Sequence, residues 1–164
     1  MNEWLEREEL LIGSENIEKL NKSTVAVFGC GGVGSYALEA LVRAGVGNIV
    51  LIDKDIVDIT NINRQLIADT TTVGQDKVEV AKQRALRINP NINIEIHKCF
   101  YDENHTELIK PKYDYIVDAI DSVKSKISLI QEAHNKNVKI ISAMGMGNKL
   151  NPTMVEVADI SKTE

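Results

Sequence analysis

Gly29, Gly31 and Gly34 set a GxGxxG spacing directly after the apolar run Thr24-Val-Ala-Val-Phe28. Glycines so spaced permit a tight turn, let backbone approach a phosphate with no Cβ in the way, and set a helix N-terminus with free N–H groups against an anion. Asp53 ends the next apolar run, Asn48 to Ile52, where a carboxylate can accept hydrogen bonds from a ribose. Together these residues point to a nucleotide site, and a dinucleotide and ATP satisfy them equally. What separates the two is the additional Gly32 and the charge that follows. A triphosphate needs a cluster that offsets several negative charges, whereas hydride transfer does not. Arg64, in Asn61-Ile-Asn63-Arg64-Gln65, offers a planar fork, and Lys77, at a helix start, offers a point charge. Asp118-Ala-Ile-Asp121 ends a later apolar run, so its carboxylates face the ligand crevice at the carboxyl edge of a parallel sheet. Asp121 is favoured over Asp118 as the group that can hold Mg²⁺ on the phosphates, because Asp118 still lies within the strand.

These residues need elements to position them. The pattern predicts a surface helix ending at Gly13, a second short helix capped by Ser14, strand Thr24–Phe28, a helix over 35–44, and strand Asn48–Ile52. A helix over 77–88 stops at Asn89-Pro90 because the residue before proline avoids the α region. Ile92, Ile94 and Ile96 alternate with polar residues as in a strand with one exposed face; a short helix over 103–109, a buried strand over 115–119, a helix over 123–136 and a strand over 138–143 follow. This β-α-β alternation predicts an α/β fold: a Rossmann-like, doubly wound, mostly parallel sheet with helices on both faces. The stretch from Asp53 to Gly74 has no clean period. Irregular chain of that length inside a domain usually binds a ligand, and the site is placed there.

The 164 residues, 43% apolar and 26% charged, suit one domain. The apolar runs are too short for a membrane span, and the N-terminal MNEWLEREEL lacks the basic and apolar regions of an export signal, so a cytoplasmic chain is expected. Cys30 and Cys99 form neither a disulfide framework nor a CxxC metal pair. Cys30 reads as a small side chain inside the glycine turn, Cys99 as packing and His97 as surface. A net charge of -5 argues mildly against a chain that grips nucleic acid by charge alone.

The motifs GCGGVG (29–34), LIDKD (51–55), NINRQ (61–65), VGQDK (73–77) and VDAID (117–121) occur in the order and spacing of the ubiquitin-activating-enzyme-like adenylating superfamily, the HesA/MoeB/ThiF group. Within it, ELLIG (9–13), GCGGVGSYALEALVRAGVG (29–47), DAIDSVKSK (118–126) and MGMGNKLNPTMVEVADISKT (144–163) most resemble the tRNA threonylcarbamoyladenosine dehydratases. The resemblance covers nearly the whole chain. It implies that a carboxylate attacks the α-phosphate of Mg-ATP, releasing pyrophosphate and leaving an acyl adenylate. In the dehydratases that carboxylate belongs to the threonylcarbamoyl group on adenosine 37 of tRNA, which then closes on itself and expels AMP.

Carried over by position, Gly29, Gly31, Gly32 and Gly34 wrap the nucleotide and Asp53 holds the ribose. Asp55 and Asn61 belong to the nucleotide-binding set, Asn63 and Arg64 reach the phosphates, Lys77 steadies the α-phosphate and Asp121 binds Mg²⁺. Arg7 aligns with an arginine that enters the other subunit's ATP site, which implies a homodimer. A sulfur-transfer protein is a further implied partner. The nearest rival is an adenylyltransferase acting on the C-terminal glycine of a ubiquitin-like sulfur carrier. Such enzymes commonly carry a CxxC zinc pair after the strand matching Thr153 to Val157, where this chain reads ADISKTE without cysteine. Arg64 and Lys77 speak against a nucleotide-dependent oxidoreductase, and with Asp121 they speak against a non-catalytic module. The family's members run on past ADISKT, so residues 1–164 are expected to be the ATP-binding adenylation domain of a longer chain.

Overall fold

The computed structural model describes residues 3–147 and 149–163; Asn148, within the terminal MGMGNK motif, lies outside them, as do Met1, Asn2 and Glu164. Five strands, β1 (Thr24–Phe28), β2 (Asn48–Ile52), β3 (Asn93–His97), β4 (Tyr115–Asp118) and β5 (Ile140–Ser142), form one sheet in the order β3-β2-β1-β4-β5. Every pairing is parallel, with Ala26 of β1 set between Val50 and Ile116. The sheet is therefore all-parallel where the sequence promised mostly parallel. Buried on both sides, its central strands carry continuous β-branched and apolar runs rather than an alternation.

Val25, Val27, Ile49 and Leu51 face α3 (Gly34–Arg43) and α4 (Lys77–Ile88), where Leu38, Val42, Val78 and Ala81 complete one core. Ala26, Phe28, Val50 and Ile52 face the other way, toward Leu129 and Ala133 of α5 (Val123–Asn135) and toward Tyr101 and Tyr113. Phe28 and Tyr101 meet edge to face, with ring centroids 5.2 Å apart. Ahead of the sheet, α1 (Glu6–Ile12) and α2 (Ser14–Lys22) run beneath its amino edge, where Leu5 packs on Gly45. No helix among the described residues is long and apolar enough to cross a membrane.

Three expectations are corrected. Ser14 does not cap α2; Gly13, at φ 82°, serves both as the end of α1 and as the cap of α2, and no side chain bonds there. Only Thr106–Leu108 is helical in 103–109, as a single 3₁₀ turn, because the Asp102 carboxylate accepts from Asn104 N at 2.8 Å and pairs with His105 Nδ1 at 2.7 Å, which bends the chain first. β5 is three residues long rather than six. Asn137, at φ 55°, turns Val138 back so that its N–H donates to Ala133 O of α5 at 2.8 Å, and Val138 caps the helix instead of pairing in the sheet.

Candidate functional site

The strand order reverses between β1 and β4, and the crevice at the carboxyl ends of these strands is where an open α/β sheet takes its ligand. The glycine turn forms one wall. Gly29, at φ 93°, leaves no room for a Cβ, which would lie 2.7 Å from Ala119 O; a Cβ on Gly34 would overlap the Gly29 carbonyl. These two glycines close the turn on protein. Gly31 and Gly32 do not: a Cβ on Gly31 would find only Gln65 Nε2, at 3.8 Å, and one on Gly32 would sit 3.5 Å from Arg64 O and 3.7 Å from Arg64 Cγ. The motif's inner pair opens onto free space rimmed by NINRQ.

Asp53 leaves β2 half-buried and ties the turn from below. Its Oδ2 accepts from Cys30 N at 2.6 Å and its Oδ1 from Asp55 N at 2.8 Å. Both oxygens keep lone pairs for a further donor. Asp55 in turn holds Lys77, whose backbone N donates to Asp55 O at 3.0 Å and whose Nζ pairs with Oδ2 at 3.2 Å. The Lys77 side chain is only 8% exposed while that of Asp55 is 52% exposed, so the ammonium is fixed and its partner is wet. Burial pushes the Cys30 thiol far above the usual thiol range; the Asp53 carboxylate adds to the rise and Lys77 opposes it. Cys30 is thus a protonated, inert thiol.

The irregular stretch gains its shape from Asn61. Buried, it accepts from Asp58 N through Oδ1 at 3.1 Å, and its carbonyl accepts from Arg64 N at 3.1 Å and Gln65 N at 2.9 Å. Asn61 therefore builds the loop from within. Arg64 stands exposed above it, with Nη1 donating to Thr60 O at 2.9 Å and to Asn63 Oδ1 at 3.0 Å, so Asn63 steers the guanidinium. Leu66 N donates to Ser35 Oγ at 3.1 Å, which fastens the loop to the first turn of α3.

On the β4 side Asp121 is exposed, on the rim of an apolar cleft of about 390 Å³ lined also by Val33, Lys126, Ile127, Met144 and Met146. Among the described residues no three His, Cys, Asp or Glu side chains stand close enough to hold a metal by themselves. Gly31, Gly32 and Arg64 thus border one open space, with Asn63 holding Arg64; Asp53 links the glycine turn to Asp55 and Lys77, Gly29, Gly34 and Asn61 are spent on building the turn and the loop, and Asp121 stands on the rim of the cleft on the β4 side. Arg7 does not join them: it is exposed on α1, two residues past Leu5, which packs at the opposite end of the strands. His97, half-buried, pairs with Glu95 at 2.8 Å.

Sequence reasoning missed two features. Gln65 is buried against the glycine turn with Oε1 unpartnered among the described residues. Asp118, wholly buried, pairs through Oδ1 with Lys126 Nζ at 2.8 Å. Lys126 was detectable, since it occupies the same helical face as Leu129 and Ala133, where a charge has no business unless it is paired.

A family model described as the ThiF family matches residues 5–163. The tRNA threonylcarbamoyladenosine dehydratase of Bacillus subtilis is 51% identical over 158 residues, covering 96% of this chain. The chain spans only 62% of that relative's length. Among solved structures, Escherichia coli tRNA N6-threonylcarbamoyladenosine dehydratase, TcdA, in complex with AMP superposes with a TM-score of 0.94 at 35% identity, covering 99% of this chain and 68% of that one. The same enzyme in complex with ATP gives a TM-score of 0.93 at 35% identity, covering 99% and 69%.

Proposed function

The chain belongs to the ThiF family, and from that premise we propose that it activates the threonylcarbamoyl carboxylate at adenosine 37 of tRNA as an acyl adenylate, which cyclises with release of AMP. The observation that carries this reading is the open inner pair, Gly31 and Gly32, with Arg64 lying against Gly32 and Lys77 paired with Asp55, whose N–H Asp53 accepts. The relatives named above for this dehydration, one of them solved with ATP, support it.

The donor set fits a nucleoside triphosphate. Asp53 keeps acceptor capacity for a ribose, the first turn of α3 presents N–H groups, and Arg64 and Lys77 supply two cations. Asp121 is the residue that would hold Mg²⁺, an ion commonly bound by one or two carboxylates plus phosphate oxygens. When bound, Mg-ATP supplies an electrophilic α-phosphorus and a pyrophosphate leaving group. The chain's own part is positioning and neutralisation. Asp53 fixes the turn, Asn61 shapes the loop, and Asn63 aims Arg64 at the charge that grows on the phosphates. Lys77, already desolvated, gives its charge with little reorganisation. The substrate's carboxylate oxygen forms the new bond to phosphorus as the bond to pyrophosphate breaks, and the side chain then closes on its activated carbonyl as AMP leaves.

Work in the cytoplasm and as a homodimer belongs to the same proposal. Leu10 and Leu11, 89% and 84% exposed a turn beyond Arg7, are the apolar surface that favours a second copy on α1. The test is pyrophosphate release from ATP with purified tRNA carrying threonylcarbamoyladenosine, with the same tRNA unmodified, and with a ubiquitin-like carrier ending in glycine. Release only with the modified tRNA is expected. Release with the carrier alone would replace this reading with sulfur-carrier adenylation, the route on which a sulfur-transfer protein would be the partner.

A further inference from the structure

Asp118 and Lys126 form the most enclosed ion pair among the described residues, with side chains 0% and 10% exposed. Such a pair is a poor way to stabilise a fold, since apolar residues of like volume usually do as well. Here it is also incomplete: Asp118 Oδ2 is buried with no partner among the described residues, a cost that stability alone does not explain. What the pair does is span one short loop. Asp118 Oδ1 accepts from Ile120 N at 3.2 Å as well as from Lys126 at 2.8 Å, while Lys126 N donates to Ser122 O at 2.9 Å. Residues 119–122 are thereby pinned at both ends. Inside that span lie Ala119, whose carbonyl abuts Gly29, and Asp121, which is exposed and makes no hydrogen bond among the described residues.

We propose that the Asp118–Lys126 pair is a positioning device that fixes the 119–122 loop and so presents Asp121 to the phosphates and their Mg²⁺. It rests on the nucleotide reading of the crevice, and it adds two residues that act through Asp121. Groups behind a metal ligand act this way generally, by limiting the orientations the ligand must otherwise give up on binding.

The experiment compares the wild-type chain with the Asp118→Asn/Lys126→Gln double variant, which removes both charges but keeps hydrogen-bonding groups of similar size, and with Lys126→Arg, which keeps the charge. ATP is titrated calorimetrically at fixed Mg²⁺, and Mg²⁺ at fixed ATP, with thermal melts in parallel. The double variant is expected to melt cooperatively while binding ATP about tenfold more weakly and needing more Mg²⁺, with Lys126→Arg restoring most of both. A purely structural pair would lower the melting temperature and leave both titrations of the folded protein at wild-type values, and that result overturns the inference. If the double variant does not fold, Asp118→Asn alone decides in the same way: unchanged titrations overturn, weakened ones support. Adding Asp121→Asn supplies a cycle, since loss of Asp121 should make the double variant nearly silent toward Mg²⁺; full additivity also overturns the proposal. A wild-type chain that gives no heat with Mg-ATP would sink the nucleotide reading and this inference together, whereas wild-type binding with indifferent variants sinks the inference alone.

Discussion

The two ends of β1 and β2 use the same residue for opposite purposes. At the amino end a Cβ on Gly47 would overlap the Asn21 carbonyl, and Gly45, at φ 82°, makes a left-handed turn against Leu5, whose Cδ1 would lie 2.9 Å from an added Cβ; both glycines serve chain that is already packed. At the carboxyl end Gly31 and Gly32 have only ordinary contacts ahead of them. Their missing side chains leave room that the chain itself does not fill. The division also runs through the GxGGxG motif, whose outer residues Gly29 and Gly34 behave like the amino-end pair. A glycine motif is therefore two devices, a hinge that packs and a floor that stays open, and they should fail differently.

The largest effect belongs to the packed set. Gly34→Ala and Gly47→Ala each force backbone to move and should cost about 3 kcal/mol, lowering the melting temperature by about 10 °C. Thermal denaturation followed by circular dichroism checks this, and a drop within about 2 °C for either would remove the contrast at its root. Next comes Arg64→Ala, which should lose roughly a hundredfold in adenylation, as removal of one charge-stabilising donor does elsewhere, while the melting temperature barely changes because the side chain is exposed. Lys77→Ala sharpens the point. Its side chain is 8% exposed, so it should lose activity and some stability together, a burial that its place at a helix start does not reveal.

That difference shows where sequence reading stops. The strands were legible because Thr24–Phe28 and Asn48–Ile52 are β-branched runs between turn signals, and the end of α4 at Ile88 was legible because Asn89-Pro90 stops it. The crevice followed, since the sheet order brings the ends of β1, β2 and β4 together. What stayed hidden depends on pairing across space. Asp118 meets Lys126 only once β4 and α5 have packed, and the burial of Lys77 depends on Asp55, reached through the Ile56–Asp76 bridge. Asn61, in the nucleotide-binding set by motif, also braces the loop from within, its side-chain oxygen accepting from Asp58 N, which only the folded loop reveals. Local geometry also overrode propensity at Gly13 and at Asn137, where a positive φ decided which residue capped which helix.

Gly32→Ala isolates the open floor from the packed hinge. The new methyl would stand 3.5 Å from Arg64 O, an ordinary contact, so the fold should accept it with a change in melting temperature within about 2 °C. ATP affinity by calorimetry should nevertheless fall about tenfold, or 1.4 kcal/mol, because the methyl enters the space left for phosphate. Equal affinity in both chains would mean that the inner glycines serve something other than the nucleotide.

The smallest signal tests a residue that the fold keeps away from its own crevice. Arg7 sits on α1 near the amino-end packing, so if it contributes to adenylation it must do so in a second copy's site, and a two-fold dimer makes that exchange reciprocal. Arg7→Ala and Arg64→Ala chains should each be nearly inactive alone. Mixed in equal amounts and allowed to exchange, half of the dimers would be heterodimers, and each of these holds one site with an intact Arg64 from one chain and an intact Arg7 from the other. Activity should return to about one quarter of the wild type. No recovery after exchange, shown by recovery of differently tagged chains in one complex, would place Arg7 in its own chain's chemistry or in none, and would leave the amino end of the molecule to packing alone.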